Sequence, residues 1–310
     1  MIMPKAWKEY NKLPLKKMME IPTLNELNGS NWALKSKSIQ RFNGAIAKKR
    51  KRHGAAYPLS LAKYFIEIFT KKGDTVLDPF MGVGTTLDAA QVLGRNGVGF
   101  EINKEYLKLA KKGLEEVDKT EQNYKGKTKQ QYVEDSCLNL KKYLENQSID
   151  FILTSPPYCN LLNNTIGIFG GTDYQKNSYK DSKRKLPSPY SDDSRDFGNL
   201  EWDKFCGKIA ETMGLLYDLA KQGAYSAWVV RDYRDMQNNI PYISLHSKIA
   251  ELGANAGWVL TDYVIWDQTD QRKLVKLGGN KSRRFYYNLG HSYVVIMRKN
   301  IEGEKFRNAR

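Results

Sequence analysis

The chain has 310 residues, of which 41% are hydrophobic and 27% charged, and its mean hydropathy is −0.61. This composition is typical of one folded domain of ordinary core size and argues against a disordered or membrane-embedded chain. No apolar run approaches the roughly 18–20 residues that a bilayer span needs, and the first residues lack the apolar core of a signal peptide. We therefore expect a cytoplasmic protein.

The net charge is +16, and the basic excess lies at the two ends of the chain. Residues 1–72 carry 16 basic and 4 acidic side chains (+12), residues 73–268 carry 23 and 27 (−4), and residues 269–310 carry 11 and 3 (+8). This distribution is typical of a core that meets a polyanion, because each Lys or Arg near a phosphate releases counterions. A solubilising surface charge and attraction to acidic membranes are the alternatives.

Cysteine and histidine usage predicts neither a disulfide framework nor a metal site. The three cysteines include no CxxC pair: Cys137, Cys159 and Cys206. The three histidines are far apart and lack the spacing of metal ligands: His53, His246 and His291.

From residue 73 onward, short β-rich runs alternate with helical patterns. The predicted strands are 75–78, 98–101, 131–133, 151–154, 224–230, 259–266 and 292–297. The predicted helices are 85–93, 104–117, 138–145, 202–221 and 243–254. This alternation predicts a doubly wound α/β domain with a mostly parallel sheet, and ligands of such sheets bind at the carboxyl ends of the strands.

Two long polar segments interrupt the alternation. Residues 163–200 are rich in Gly, Pro and Ser, and are too long for a plain connection. Residues 267–290 mix Arg and Lys with Tyr and Phe, a combination that contacts phosphates and stacks on bases. We interpret both as functional or disordered inserts.

A glycine-rich turn follows the first of these strands. Asp78 ends the strand, and Gly82 and Gly84 allow the backbone to approach a ligand closely. A P-loop is excluded because no lysine follows Gly84, and a dinucleotide fingerprint would need glycine in place of Leu87. The acid at Asp78 favours a cofactor with positive charge and no phosphate.

S-adenosylmethionine fits this description, since it has an ammonium, a sulfonium, a ribose diol and an adenine. Glu101 ends the next strand, where a carboxylate can accept both ribose hydroxyls, and Asp135 follows the third, where it can accept from the adenine amine. Each acid alone would be read as a solvated strand end, but three acids beside one glycine turn favour a binding site.

The fourth strand ends in a rigid turn, Ser155-Pro156-Pro157-Tyr158. Two prolines fix φ and remove two N–H donors, so the turn offers acceptors to an exocyclic amine while the tyrosine ring offers a stacking face. Taken alone, the turn would be interpreted first as a rigid strand end with a buried tyrosine. Cys159 does not follow a proline directly, as the thiolate of a C5-cytosine methylase would, so we interpret it as a small apolar residue.

Together these segments resemble the amino-methylating DNA methyltransferases, from about residue 50 to 300. The segments that carry the resemblance are RHGAAYP (52–58), LDPFMGVGTT (77–86), GFEI (99–102), DS (135–136), TSPPY (154–158), GWVLTDYVIWDQ (257–268) and HSYVVIMRK (291–299). The motifs DPFMGVGTT and SPPY together resemble the N4-cytosine branch most closely, whereas adenine-N6 members more often have Asp or Asn where Ser155 stands. The resemblance implies a Rossmann-like fold and a prokaryotic or phage-type enzyme.

The resemblance also implies a set of site residues. Those expected to bind S-adenosylmethionine are His53, Tyr57, Pro58, Asp78, Pro79, Phe80, Gly82, Gly84, Thr85, Thr86, Glu101, Asp135, Ser136 and Thr154. Ser155, Pro156, Pro157 and Tyr158 are expected to hold a flipped target base and to be catalytic. Basic residues expected to contact DNA are Lys48, Lys49, Arg50, Lys51, Arg52, Lys183, Arg184, Lys281, Arg283 and Arg284.

We divide the chain into a basic extension (1–50), a methyltransferase domain (51–300) and a tail (301–310). The sequence departs from relatives at Gln268, where they often have lysine, and only 11 residues follow Lys299. Reading of the DNA sequence then falls to the inserts 163–200 and 267–290, the basic N-terminal arm or a partner subunit, in place of a C-terminal recognition domain. We favour the two inserts.

Several alternatives stay open. The target is duplex DNA in this interpretation, with cytosine N4 preferred over adenine N6. An RNA-base or protein-amide methyltransferase presents the same NH₂ geometry to such a turn. A non-catalytic nucleic-acid-binding subunit would need neither the glycine turn nor the SPPY turn. A cognate restriction endonuclease or a second subunit is a further candidate partner.

Overall fold

The structure is a computed structural model that describes residues 23–42, 56–117, 128–159, 193, 195–235, 239–272, 274, 278–279 and 283–308. Its strands are β1 Ile39–Gln40, β2 Thr75–Asp78, β3 Asn96–Phe100, β4 Gln130–Val133, β5 Ile149–Thr154, β6 Ala220–Val230, β7 Tyr233–Asp235, β8 Ile240–Ile243, β9 Val259–Asp267, β10 Gly278–Gly279, β11 Arg284–Phe285 and β12 His291–Arg298. Eight of them form one sheet in the order β1-β9-β12-β6-β5-β2-β3-β4. Strands β7 and β8 form a separate antiparallel ribbon, as do β10 and β11.

The sheet confirms the predicted mixed α/β fold. All strand pairs in it are parallel except those of β12, which runs antiparallel to both β6 and β9. Each of the seven predicted strands corresponds to an observed one. The eighth, β1, was not predicted, because two residues carry too little periodicity to be recognised.

Helices cover both faces of the sheet. They are α1 Gly29–Lys35, α2 Leu59–Phe69, α3 Thr85–Val92, α4 Lys104–Val117, α5 Trp202–Leu219 and α6 Leu245–Asn255. Helices α5 and α6 bury apolar side chains on one face, and α2 and α3 do so on the other. In the part of the chain that the structure describes, no helix is both long and apolar enough to cross a lipid bilayer.

The core lies in two layers because strand side chains alternate between faces. Leu77 and Ile152 point into the layer of α5 and α6, whereas their neighbours Val76 and Phe151 point into the layer of α2. All four are fully buried. Strands apolar on both faces are typical of a parallel sheet covered on both sides, and this arrangement leaves the strand ends to form a site.

Two helical segments illustrate where the structure differs from the sequence prediction. Residues 138–145 were expected to be an α-helix, but the chain forms a 3₁₀ helix over Cys137–Lys142, whose first turn is capped by the Ser136 hydroxyl accepting from the backbone N–H of Leu138. Helix α2 was not predicted. Its apolar residues at positions 61, 62, 65 and 66 form one buried stripe.

Residues 23–42 pack against the α2 layer. The amide of Asn25 donates to the carbonyl of Ile68 at 2.6 Å, and the ring of Phe42 lies 6.3 Å from that of Trp266. Strand β1 extends the sheet beside β9. This part of the predicted basic extension therefore shares the core of the α/β domain.

Candidate active-site cleft

An open cleft lies at the carboxyl ends of β2 to β5, and its empty space, including the mouth, is about 850 Å³. Its lining residues are Ala56, Tyr57, Asp78, Pro79, Phe80, Met81, Gly82, Val83, Thr85, Phe100, Glu101, Ile102, Tyr106, Asp135, Ser136, Cys137, Ser155, Pro156, Pro157, Tyr158, Arg195, Asp196 and Phe197. The glycine turn, the predicted acids and the SPPY turn thus border one space.

The glycine turn is shaped by two glycines with positive φ. Gly82 has φ +54°, and Gly84 has φ +78° and caps the N-terminus of α3. A Cβ atom on Gly84 would lie 2.9 Å from the Cβ of Ala110, so a side chain there would collide with α4. Both requirements select glycine, and they place the start of α3 against the sheet edge.

The carboxylate of Asp78 joins three segments of the chain beneath the cleft. Its Oδ1 accepts from the Thr154 hydroxyl at 2.7 Å and from the backbone N–H of Phe80 at 3.1 Å. Its Oδ2 accepts from the Tyr57 hydroxyl at 3.2 Å and from the Thr86 hydroxyl. Asp78 is 2% exposed, and burial raises the pKa of its carboxyl although these donors oppose the shift.

Glu101 follows β3 and turns its carboxylate back toward the glycine turn. One oxygen accepts from the backbone N–H of Gly82 at 2.9 Å, and the other accepts from that of Asn103 at 2.8 Å. Burial raises the pKa of Glu101 to about 7, and the negative charges of Asp196 and Asp78 add to the rise. Each oxygen keeps a second lone pair for a ligand hydroxyl.

Asp135 follows β4, at the end of the cleft away from β5 and the SPPY turn. Its oxygens accept from the Ser136 N–H at 2.7 Å, the Asn139 amide at 2.8 Å and the Tyr143 hydroxyl at 3.0 Å. Burial opposes ionisation, but the hydrogen bond from Asn139 and the other donors outweigh it and lower the pKa of Asp135. Asp135 is therefore ionised at neutral pH.

The SPPY turn continues directly from β5. Thr154 is fully buried, and the chain then passes Ser155 and the two prolines along the cleft. The ring of Tyr158 meets that of Tyr233 edge to face at 6.1 Å, and burial raises the pKa of its hydroxyl, which therefore stays protonated. The turn is thus held at its tyrosine by ring packing and at its start by the hydrogen bond from Thr154 to Asp78.

Cys159 lies behind this turn. Its thiol donates to the carbonyl of Leu200 at 2.9 Å, and burial raises its pKa to about 11. A protonated, bonded thiol is a poor nucleophile, in agreement with the sequence interpretation.

One wall of the cleft was not predicted from the sequence. Arg195 pairs with Asp193 at 2.6 Å and reaches Asp135 at 3.4 Å, while the ring of Phe197 meets that of Phe80 edge to face at 5.5 Å. Asp196 is buried between them and caps a short 3₁₀ helix at Gly198. This wall belongs to the insert 163–200, which we expected to read the DNA sequence. The sequence signal that could have indicated it is the group of acidic residues at the end of the insert, just before an amphipathic helix.

The structure brings most of the predicted site residues together. The four SPPY residues line the cleft, as do nine predicted cofactor residues: Tyr57, Asp78, Pro79, Phe80, Gly82, Thr85, Glu101, Asp135 and Ser136. Four others do not line it: Pro58, Gly84, Thr86 and Thr154.

These four residues have other structural roles. Pro58 precedes the first turn of α2, and Gly84 packs against α4. The hydroxyls of Thr86 and Thr154 are directed at Asp78. Their contribution to the cleft is therefore to position residues that line it.

Two of the basic residues predicted to contact DNA lie in the described part of the chain, and neither lines the cleft. Arg283 and Arg284 are exposed at strand β11. The remaining predicted residues lie outside the described part of the chain: Lys48, Lys49, Arg50, Lys51, Arg52, His53, Lys183, Arg184 and Lys281.

Comparisons with known proteins give partial matches to DNA methylases. A family model described as DNA methylase matches residues 7–112. Type II methyltransferase M2.DpnII of Streptococcus pneumoniae is 40% identical over 83 residues, which are 26% of this chain and 31% of that protein. M.MthZI of Methanothermobacter thermautotrophicus is 41% identical over 78 residues, which are 25% of this chain and 21% of that protein.

These partial matches support the predicted relationship to the amino-methylating DNA methyltransferases, and they do not separate N4-cytosine from N6-adenine enzymes. The matched segments span about a third or less of the length of these relatives. An rRNA methylase structure from Streptococcus thermophilus aligns with 79% of this chain and 98% of its own at 13% identity, with a TM-score of 0.42. That similarity is too low to bear on function.

Proposed function

We propose that this protein transfers a methyl group from S-adenosylmethionine to the exocyclic N4 amine of a flipped cytosine in duplex DNA. One observation carries the proposal: the SPPY turn borders the same cleft as the glycine turn and the acids Asp78, Glu101 and Asp135. A donor bound along the acids and an amine held at the turn would share one space. Adenine N6 is the second candidate, because the family match covers both amines.

The donor set of the cleft fits S-adenosylmethionine. Its carboxylates favour a cationic ligand and provide acceptors for hydroxyl and amine hydrogens, and the cleft extends along the ends of four neighbouring strands. Glu101 would hold the ribose diol, Asp135 and Ser136 the adenine end, and Phe80 with the glycine turn the methionine end. When bound, this group supplies an electrophilic methyl.

The SPPY turn accounts for the handling of the target amine. Pro156 and Pro157 have no N–H, so the turn offers the Ser155 hydroxyl and neighbouring carbonyls as acceptors for two amine hydrogens. Holding both hydrogens draws the nitrogen lone pair out of conjugation and toward the donor. The ring of Tyr158 stacks on the base, and no strongly basic side chain is needed.

The basic ends of the chain support a nucleic-acid substrate. The runs 48–52 and 183–184 and the residues Lys281, Arg283 and Arg284 would contact phosphates, and the inserts 163–200 and 267–290 would read the sequence. The names of the Type II relatives support a place in a restriction-modification system, with a cognate endonuclease as partner.

The proposal is tested by methyl transfer from labelled S-adenosylmethionine to equal amounts of duplex DNA, RNA and protein. We expect label in duplex DNA only, and none with the Ser155→Ala variant. Label in RNA or protein instead of DNA would show that the substrate is not duplex DNA. Cofactor binding without transfer to any of the three would contradict the proposal.

A further inference from the structure

A short aromatic segment projects from the carboxyl edge of the sheet and is not used by the cleft. We call residues 283–290 the aromatic ribbon, since they include β11 and the chain leading to β12. Phe285 is 77% exposed and Tyr287 is 78% exposed, and their rings meet edge to face at 5.3 Å. Two large, adjacent and exposed aromatic rings indicate a binding surface.

Two arginines hold the backbone of the aromatic ribbon. The guanidinium of Arg231, 8% exposed, donates to the carbonyl of Leu289, and Arg234 donates to the carbonyl of Tyr287 at 3.1 Å. Arg234 also lies over the ring of Tyr286 at 4.9 Å. The ribbon is therefore anchored although two of its rings face solvent, and an anchored ring loses little conformational entropy on binding.

The anchors connect the aromatic ribbon to the SPPY turn. Arg231 directly follows β6, in which Trp228 pairs with Thr154 of β5, so it lies at the edge from which the turn emerges. Arg234 follows Tyr233, whose ring contacts Tyr158. The exposed rings are thus attached to the same frame as the residues proposed to hold the target base.

We propose that Phe285 and Tyr287 insert into the duplex at the target and stack in the space that the extrahelical base leaves. Moving a base out of the stack costs unstacking energy, and apolar side chains inserted between base steps offset this cost. The exposed basic side chains of Arg283 and Arg284, next to the rings, complement the flanking phosphates. This inference rests on the proposed function, because it assigns a role in extruding the methylated base.

The test uses the full-length protein with Phe285→Ala, Tyr287→Ala and the double variant. Trp32→Ala is the matched control, since Trp32 is an aromatic residue, 50% exposed on α1, that does not line the cleft. Single-turnover methylation is measured on a matched duplex and on the same duplex with a mismatch opposite the target base.

We expect the double variant to methylate the matched duplex at least tenfold more slowly, since stacking is worth about one to two factors of ten per base. The mismatch should restore most of that rate, because a mispaired base is already easier to extrude. Trp32→Ala should behave as wild type. Unchanged rates in the double variant, or an equal loss on both duplexes, would overturn the inference.

A binding measurement separates this inference from the proposed function. The wild-type protein should bind a duplex with one abasic site at least tenfold more tightly than the intact duplex, and the double variant should lose this preference. If the protein prefers the abasic duplex but transfers no methyl group, the proposed methylation is wrong and the inference that the two rings insert into DNA is supported. If methyl transfer occurs but the preference for the abasic duplex is absent, only the inference that the rings insert into DNA is overturned.

Discussion

The Thr154 hydroxyl donates to Oδ1 of Asp78 at 2.7 Å and joins the strand end that carries the SPPY turn to the one that carries the glycine turn. Both residues are buried, and the same carboxylate also receives Tyr57 and Thr86. The distance between the two turns is therefore fixed by side-chain bonds inside the core. A methyl donor and an acceptor amine need such a fixed separation.

Replacing Thr154 with valine should destabilise the protein by about 1–3 kcal/mol, because a buried carboxylate loses a donor while the side-chain volume is kept. We expect a lower Tm and weaker methyl transfer. Thermal unfolding measures the first, and Thr23→Val, at an exposed position, is the control. A Tm equal to that of the wild type would show that the bond is not needed.

Cofactor affinity should depend on the ionisation of Glu101. The pKa of this carboxyl is about 7, and two ribose hydroxyls are best accepted by the charged form. Affinity should therefore rise by up to about tenfold per pH unit below 7 and level off above it. Calorimetric titration between pH 5.5 and 8 measures the slope, and a Glu101→Gln variant with an undiminished slope would refute the assignment.

The same pKa predicts a pH effect on stability. The folded pKa exceeds the unfolded value of 4.5, so the folded state binds more protons between pH 4.5 and 7. Glu101 therefore favours folding more at low pH, and its contribution falls as pH rises through this window. Urea unfolding across the window should show a steeper fall for wild type than for Glu101→Gln; parallel curves would exclude the effect.

Substitutions in the SPPY turn should separate binding from transfer. Ser155→Ala and Tyr158→Ala are expected to lower the methyl-transfer rate at least a hundredfold while cofactor affinity stays within about twofold, since both residues face the amine in this account. Tyr158→Phe keeps the stacking ring and should keep most of the rate. Ser148→Ala serves as control, since Ser148 is a half-buried serine just before β5 that does not line the cleft. Equal loss of affinity and rate would point to a merely structural turn.

The basic run before residue 53 should contribute sequence-independent affinity. Changing Lys48, Lys49, Arg50 and Lys51 to glutamine should weaken binding to all duplexes alike and reduce the salt slope by about 0.9 for each phosphate that is no longer neutralised. The same number of exposed lysines on α4 provides a control of equal charge: Lys104, Lys108, Lys111 and Lys112. Similar slopes in the two variants would indicate a solubilising charge.

The sequence sufficed to predict elements whose signals are local. Strands such as β2 and β5 are apolar runs that end at polar residues, and Gly84 marks the start of α3. Helix α2 also has a local signal, apolar residues at helical spacing, and the sequence prediction missed it.

Long-range contacts account for what the sequence did not reveal at the site. Nothing local indicates that Thr86 and Thr154 both bond Asp78, or that Arg195 returns from the insert to reach Asp135. These contacts join residues 8 to 76 positions apart, and only the folded sheet brings them together.

The central claim is that the methyl group goes to cytosine N4. Duplex DNA incubated with the protein and S-adenosylmethionine, digested to nucleosides and measured by mass spectrometry tests it most directly. We predict N4-methylcytosine, and none with Ser155→Ala. N6-methyladenine without N4-methylcytosine would contradict the claim and assign the same turn to adenine.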